Sequence, residues 1–469
     1  MIEELEAQVD RCARVIDVLV ARNEALTVQV AELRQRLGMN SRNSSKPPSS
    51  DGVRKPPPRS MRGRSTRKPG KQPGAEGTTL AAAPAADEVF EYRPQRCQGC
   101  HADLADAPVV GVTSRQVVDL PPVKPVVTEH RMVSCACACG TVTKAGAPEG
   151  VSAPVQYGPG AAAVALYLLV AHHVPFARVV RIMTDLLGFN VSPGWVNNCL
   201  TRAAAALTAF RDRIRTLLTS AGLVHFDESG VRVGGCLRWL HVACTPLLTH
   251  YHLDERRGQD GMDRHGILPA LSAPQIAVHD GWMSYFKTPY DRIAHALCNA
   301  HHLRELTGWA ETSPADRAWA QPFLDLLRHG NRLVKIAKAD RRTHLPDPVY
   351  HRLLTRWQRA IDNAEAAIPP PARGRGPRLS LIDRLKATTE VWRFARDFTV
   401  PFDNNQAERD IRMIKLQGKI SGAWRKTPNA TRWLQVREYI STVTKNGLNT
   451  LAALCDAITG NAWLPPLPE

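Results

Sequence analysis

The sequence predicts an α/β protein built on a mixed sheet, interrupted by a large helical insertion and preceded by several smaller modules. Three observations lead there. Residues 222–254 read as three short strands, parted by Gly234-Gly235 and by Pro246. Residues 276–281 form an apolar run ending in Asp280 and Gly281, as expected where a buried parallel strand delivers an acid to the carboxyl edge of a sheet. Residues 301–400 then turn helical, apart from a Pro/Arg/Gly-rich loop at 368–377, and a loop of such length inside a domain is rare enough to indicate an inserted helical subdomain.

Length and charge frame the rest. The chain has 469 residues, 43% of them apolar, and a net charge of +17. That is room for two to four domains and an ordinary globular core. No apolar run approaches ~20 residues and the amino terminus lacks a signal-peptide core, so the protein is expected to be soluble and cytoplasmic, with no membrane contact. The positive charge points to a polyanionic partner, nucleic acid before anionic membrane. Of the 11 cysteines, five cluster as Cys97, Cys100, Cys135, Cys137 and Cys139, which is metal spacing in a reducing compartment rather than a disulfide framework.

Residues 1–38 read as a coiled coil. Ile2, Val9, Ile16, Asn23, Val30 and Leu37 repeat every seven residues, with Leu5, Cys12, Leu19, Leu26 and Leu33 between them. Branched residues at a, Leu at d and one Asn at a favour a parallel homodimer over an amphipathic helix packed on its own chain. Residues 39–87 follow as a Pro/Ser-rich basic linker, with ten Lys or Arg against one acid between Arg42 and Lys71. Such a composition builds no core, so this is expected to be a disordered segment lying along phosphates, or a plain tether.

Residues 88–150 form a separate module in which Cys97-x-x-Cys100 opens one knuckle and the cysteines before Gly140 close a second. The valine-rich stretch 109–133 reads as strands, giving a zinc ribbon that binds DNA and one structural Zn²⁺. The second knuckle offers either C-x3-C or C-x-C; Cys135 and Cys139 are the expected ligands with Cys97 and Cys100, and Cys137 is the contender. Residues 151–220 are helical. Ser192 should cap a helix with Pro193 at its first position, after a Gly188 turn. The pair of helices around that turn fits a DNA-reading helix-turn-helix or a structural bundle, and few bases at the start of the second weaken the first reading.

The first part of the core spans 221–300. Three antiparallel-looking strands, a helix, then two strands flanking a helix is the element order of a ribonuclease-H-like fold. Asp227 lies inside the first strand and Asp280 at the end of the fourth. A carboxylate at an apolar strand position is costly unless paired or metal-bound, and two such acids can share a divalent cation. Beyond the insertion, 401–460 holds a helix and the C-terminal helices. Glu408, Arg412 and Lys415 stand at i, i+4 and i+7, hence on one face, with Asp403 or Asn404 available as cap. An acid beside two bases suits a metal and a phosphate, or a plain surface salt-bridge face; Lys419 and Arg425 extend the basic surface.

Several strings together resemble the insertion sequence 66 family of bacterial transposases. They are the Asp227, Asp280, Glu408 arrangement, Asn404-Asn405-x-x-Glu408-Arg409, Lys419-Ile-Ser-Gly-x-Trp-Arg425, Cys298-Asn-Ala-His301, the zipper, the ribbon and Asn-Ser-Ser-Lys-Pro-Pro-Ser-Ser-Asp at 43–51. Their order and spacing carry the likeness over nearly the whole chain. The resemblance implies an acidic-triad transposase that binds the terminal repeats of an insertion sequence in double-stranded DNA. Asp227, Asp280 and Glu408 would hold two Mg²⁺, and ends would be nicked and joined to target DNA by transesterification. Arg412 and Lys415 would clamp phosphate, aided by Lys419 and Arg425. Small accessory transposition proteins are further implied partners.

Other residues compete for these roles. Glu228 faces away from Asp227 on a strand. His225, His241, His250, His252 and His279 lack metal-site spacing and read as satisfied core or edge histidines, and Cys298 with His301 reads as architectural, a second zinc site being the less favoured alternative. The functional alternatives are a catalytically inactive DNA-binding protein derived from a transposase, and a ribonuclease or resolvase on the same fold, which leaves zipper and ribbon without a task.

Overall fold

A computed structural model describes residues 80–467, apart from 122 and 371–373, together with scattered positions before residue 80. The expected coiled coil and most of the basic linker lie outside the described residues, except for a few positions that include a helical run at 14–20. The chain divides into two units, Met61–Val126 and the remainder.

In the smaller unit the main chain closes a tight turn around Cys97, whose N–H donates to the Ala102 carbonyl at 2.9 Å. In the larger unit a hairpin of β1 (Ser134–Ala136) and β2 (Val142–Lys144) turns at Gly140, where φ is +85°. The strands expected over 109–133 do not form among the described residues. Val110, Val117 and Val126 are 99%, 90% and 91% exposed. β-branched residues favour a strand by packing on a neighbouring face, and here no such face covers them.

Helices α1 (Pro159–Leu166, continued by a π turn), α2 (Phe176–Leu187), α3 (Pro193–Ala206) and α4 (Thr208–Ser220) come next. Gly188 ends α2 in the left-handed region, and the Ser192 hydroxyl accepts from Trp195 N–H at 3.1 Å to cap α3. On α3, Val196, Cys199, Leu200 and Ala203 are buried in the same apolar cluster as the sheet.

The sheet has the order β5-β4-β3-β6-β7. β3 (Leu223–Val233), β4 (Cys236–Cys244) and β5 (Thr249–Asp254) are antiparallel; β6 (Ile276–His279) and β7 (Ala294–Leu297) run parallel to β3. Gly234 and Gly235 both take positive φ, +58° and +81°, the backbone a two-residue hairpin turn requires. The expected helix around 258–270 is shorter, α5 (Gln259–His265) followed by a 3-10 turn.

Successive residues of β6 face different cores, as a period of two demands. Ala277 joins the cluster that unites α1 to α4, the sheet and the C-terminal helices α12 (Thr427–Lys445) and α13 (Thr450–Ile458), whereas Val278 joins the cluster of the helical insertion. That insertion comprises α6 (Asn299–Ala310), α7 (Pro314–Ala339), α8 (Asp347–Ala367), α9 (Gly376–Leu385) and α10 (Thr388–Arg396). Trp309, Trp319, Trp357 and Trp392 are all buried in it. Helix α11 (Asn405–Ile420) returns the chain to β3. No described helix is long and apolar enough to cross a membrane.

Candidate active site

Asp227 sits in β3 and turns one carboxylate oxygen to its neighbour's amide, accepting from Glu228 N–H at 2.9 Å. Asp280 follows the last residue of β6, where its Oδ1 accepts from Trp282 N–H at 2.9 Å. Glu408 lies in the first turn of α11, where the helix dipole favours an anion. The three converge. Asp227 is pushed up to about 7, first by burial and then by the negative charges of Asp280 and Glu408. Like charges gathered in a partly buried pocket disfavour ionisation, and a divalent cation is the partner that relieves both causes.

Of the four bases expected to hold phosphate, Lys415 is brought to this pocket. Burial pushes its ammonium below the ordinary lysine range, while the charges of Asp227 and Glu408 oppose that shift. Arg412, Lys419 and Arg425 are exposed. The segment holding Arg425 is tied to the end of β3, because Gly234 N–H donates to the Trp424 carbonyl at 2.7 Å.

Asn404 does not cap α11 with its side chain as expected. Its amide instead reaches β3, donating to the Phe226 carbonyl at 2.7 Å and pairing with His225 Nδ1 at 2.8 Å. Asp403 accepts the Asn405 N–H at 3.1 Å. The two bonds from Asn404 fasten the start of the Glu408 helix beside the strand that carries Asp227. Asn404→Ala should orphan the buried Phe226 carbonyl at a cost of about 1–3 kcal/mol. A lowered midpoint in thermal unfolding checks this.

Several residues around the acids were not foreseen. Arg304 pairs with Glu408 Oε1 at 2.9 Å, and His301 Nδ1 stands 3.8 Å from the same oxygen. Arg257 lies over the Trp282 ring at 4.1 Å and approaches both Glu228 at 3.6 Å and Asp280 at 4.0 Å. Glu228 turns to the Tyr285 hydroxyl, which donates to it, and its carboxyl is pushed up to about 8 by burial, then by Asp280 and Asp227. For Arg304 the sequence signal is the Cys298-x-x-His301 string, whose next helical turn carries it; strand alternation turns Glu228 from Asp227 but does not keep it clear of the charges of Asp280 and Asp227.

The strand histidines have local partners. His241 meets the Arg256 carbonyl at 3.0 Å, His250 meets Glu438 at 2.9 Å, His252 meets Asp254 at 3.1 Å, and His279 meets His295 at 2.9 Å. Burial lowers the His241, His252 and His279 rings below the ordinary histidine range, with Asp254 opposing the shift at His252.

At the cysteine knuckles, amide donors from Cys100 and then Gly99 lower the Cys97 thiol. Cys139 is lowered to about 7, first by the Thr141 hydroxyl at 3.3 Å, then by the Thr141 amide and the Cys137 side chain. Donors aimed at sulfur favour the thiolate, the form that binds metal. Cys135 stands on β1 opposite Thr143. A cleft of about 590 Å³ between α7 and α8 is lined by Arg328, Arg332, Lys335 and Arg356 among others.

Comparison with known families gives three matches. The model described as "Transposase IS66 family" covers residues 154–432, and "zinc-finger binding domain of transposase IS66" covers residues 94–140. A family of unknown function matches residues 1–81. No curated protein matches the chain.

Proposed function

The chain belongs to the IS66 transposase family, and from that premise we propose that it binds the terminal repeats of an insertion sequence and carries out Mg²⁺-dependent phosphodiester hydrolysis and strand transfer. The observation that carries this reading is the placement of Asp227 on β3, Asp280 directly after β6 and Glu408 in the first turn of α11 about one pocket, where burial first and then the charges of Asp280 and Glu408 push the Asp227 carboxyl up to about 7. The mixed sheet with acids on β3 and after β6 supports a ribonuclease-H-like core. The donor set is all carboxylate, which suits a hard cation.

Asp227, Asp280 and Glu408 are the residues that would hold the metal. When bound, two Mg²⁺ supply activation of the attacking oxygen and charge stabilisation at the leaving oxygen. Lys415 offers its ammonium to the phosphate beside the acids. Asn404 and Arg304 orient Glu408, and the Trp282 amide orients Asp280. Arg412, Lys419 and Arg425 are exposed for flanking backbone phosphates, and the basic cleft between α7 and α8 supports further DNA contact.

The zinc-finger match supports a structural zinc. Cys97, Cys100, Cys135 and Cys139 are its proposed ligands, with Cys137 as the contender for the place of Cys135. For the amino terminus we propose homodimerisation. Ile16 and Leu19, at successive a and d positions, are each 58% exposed in the single chain. Deleting residues 1–38 should halve the particle mass in analytical ultracentrifugation.

A cleavage assay on terminal-repeat DNA tests the central proposal. Nicking that requires Mg²⁺ and stops with a chelator is expected. Specific binding of the ends with no cleavage in any divalent cation would favour an inactive DNA-binding descendant instead.

A further inference from the structure

Glu408 belongs to a second set of donors, of a different chemical kind. Cys298 Sγ, a ring nitrogen of His301 and a Glu408 oxygen all lie within 4.8 Å of one another. Bond lengths of roughly 2.0–2.3 Å to a tetrahedral Zn²⁺ put its ligand atoms roughly 3–4 Å apart, so small side-chain shifts would seat one ion among these three. The sequence places two of them by a short spacing. Cys298 is the cap residue of α6 and His301 lies in the first turn, three residues on, so both project from the same side of the helix start.

Burial first and then the charge of Glu408 push the Cys298 thiol up to about 12, so a cation here must displace its proton, but the geometry of the donors suits one. The Cys298 sulfur is fully buried and accepts the Asn404 N–H at 3.1 Å, the type of bond that supports a thiolate in metal knuckles. Asn404 is itself anchored to β3 at 2.7 Å, so this donor is fixed. His301 Nδ1 is buried without a hydrogen-bond partner, and at 3.8 Å from Glu408 Oε1 it is too far to be satisfied there. Arg304 meets the charge of Glu408 but leaves that imidazole nitrogen unanswered. A buried polar atom with no partner costs free energy, and a bound ion removes that cost.

We propose that Cys298, His301 and Glu408 form a second divalent-cation site, selective for Zn²⁺ over Mg²⁺ and open at its fourth position. Thiolate and imidazole ligands favour a borderline-soft ion and are poor partners for Mg²⁺. The ion would join the start of α6 to the first turn of α11 and so fix the direction of Glu408, which makes it a positioning element for the acid pocket. Only the placement of these three side chains supports it, so it stands or falls separately from the phosphodiester chemistry.

Zinc content of the full-length protein, measured after Zn²⁺ loading and removal of free metal in excess Mg²⁺, tests this. Cys298→Ser and His301→Ala should each bind one equivalent fewer than the unaltered chain, against a constant contribution from the cysteine knuckles. With Co²⁺ as the probe, Cys298→Ser should also lose part of the thiolate-to-cobalt absorption. Asp227→Asn should keep the equivalent. Unchanged zinc in the His301→Ala protein would overturn the site, and so would loss of the same equivalent in Asp227→Asn, which would put the ion among the three acids. Because Cys298 is fully buried and its variant is exposed to misfolding, His301→Ala, altered at a side chain that is 14% exposed, decides the matter alone.

Discussion

Asp227→Asn is expected to reduce cleavage of terminal DNA by about 10³-fold or more while leaving DNA binding intact. The substitution keeps the shape of the side chain and removes a charge whose position is fixed by β3 and by the Glu228 amide at 2.9 Å. Metal-assisted stabilisation of a phosphoryl transition state is worth several kcal/mol, and each 1.36 kcal/mol is about tenfold in rate. Asp280→Asn and Glu408→Gln should cost a similar amount. In the proposed triad the three acids work together on one reaction, so a double variant should be little worse than either single one. Rates of end cleavage, compared with filter-binding or gel-shift affinities for the same DNA, separate chemistry from binding. A variant that binds and still cuts at an unaltered rate would remove Asp227 from the proposed triad.

The parts of this site that were legible in the sequence are those with a local signature. An acid inside an apolar strand, or at its end before a glycine, stands out because burial makes it costly, and Asp227 and Asp280 were found that way. Gly188, Ser192 and Pro193 marked the ends of α2 and α3 for the same reason: capping chemistry is local. What remained hidden depends on contacts far apart in the chain. Asn404 looked like an ordinary helix cap, yet β3 offers it a buried carbonyl and an imidazole, and these outcompete its own helix. Arg257 adjoins Arg256 and Arg304 stands alone in a helical stretch, and only the folded pocket shows that each faces an acid of the site. The valines of 109–133 carried a strand signal with no partner surface to realise it. Likewise, α3 reads from sequence as a DNA-reading helix or a bundle member. Its buried face of Val196, Cys199, Leu200 and Ala203 places it in the core, leaving Arg202 as the one base on the helix.

Without bound metal, stability should fall as pH rises from about 5 to 8, and Mg²⁺ should restore it at the upper end. Asp227 at about 7 and Glu228 at about 8 are both raised above the ordinary carboxyl range, in each case by burial first and by neighbouring acids next. A raised carboxyl holds its proton in the folded chain at a pH where the unfolded chain has already released it. The folded state then binds more protons, so stability declines with pH between the unfolded and folded values. The facing groups are Asp280 and Glu408 on the raising side, and Lys415 and Arg257 on the lowering side. Each group contributes at most about 1.4 kcal/mol per pH unit while it titrates, less where solvent screens it. Below about pH 4 the trend reverses, because Asp254, held low chiefly by Arg264, must then be protonated. The comparison that isolates the site is Asp227→Asn: at pH 8 and without metal it should unfold at a higher temperature than the unaltered protein, and at pH 5 the two should converge. Mg²⁺ at about 100 times its dissociation constant should add about 2.7 kcal/mol to the unaltered protein and far less to the variant. Melting curves at pH 5 and 8, with and without Mg²⁺, would show equal responses from both proteins if the three carboxylates do not share an ion.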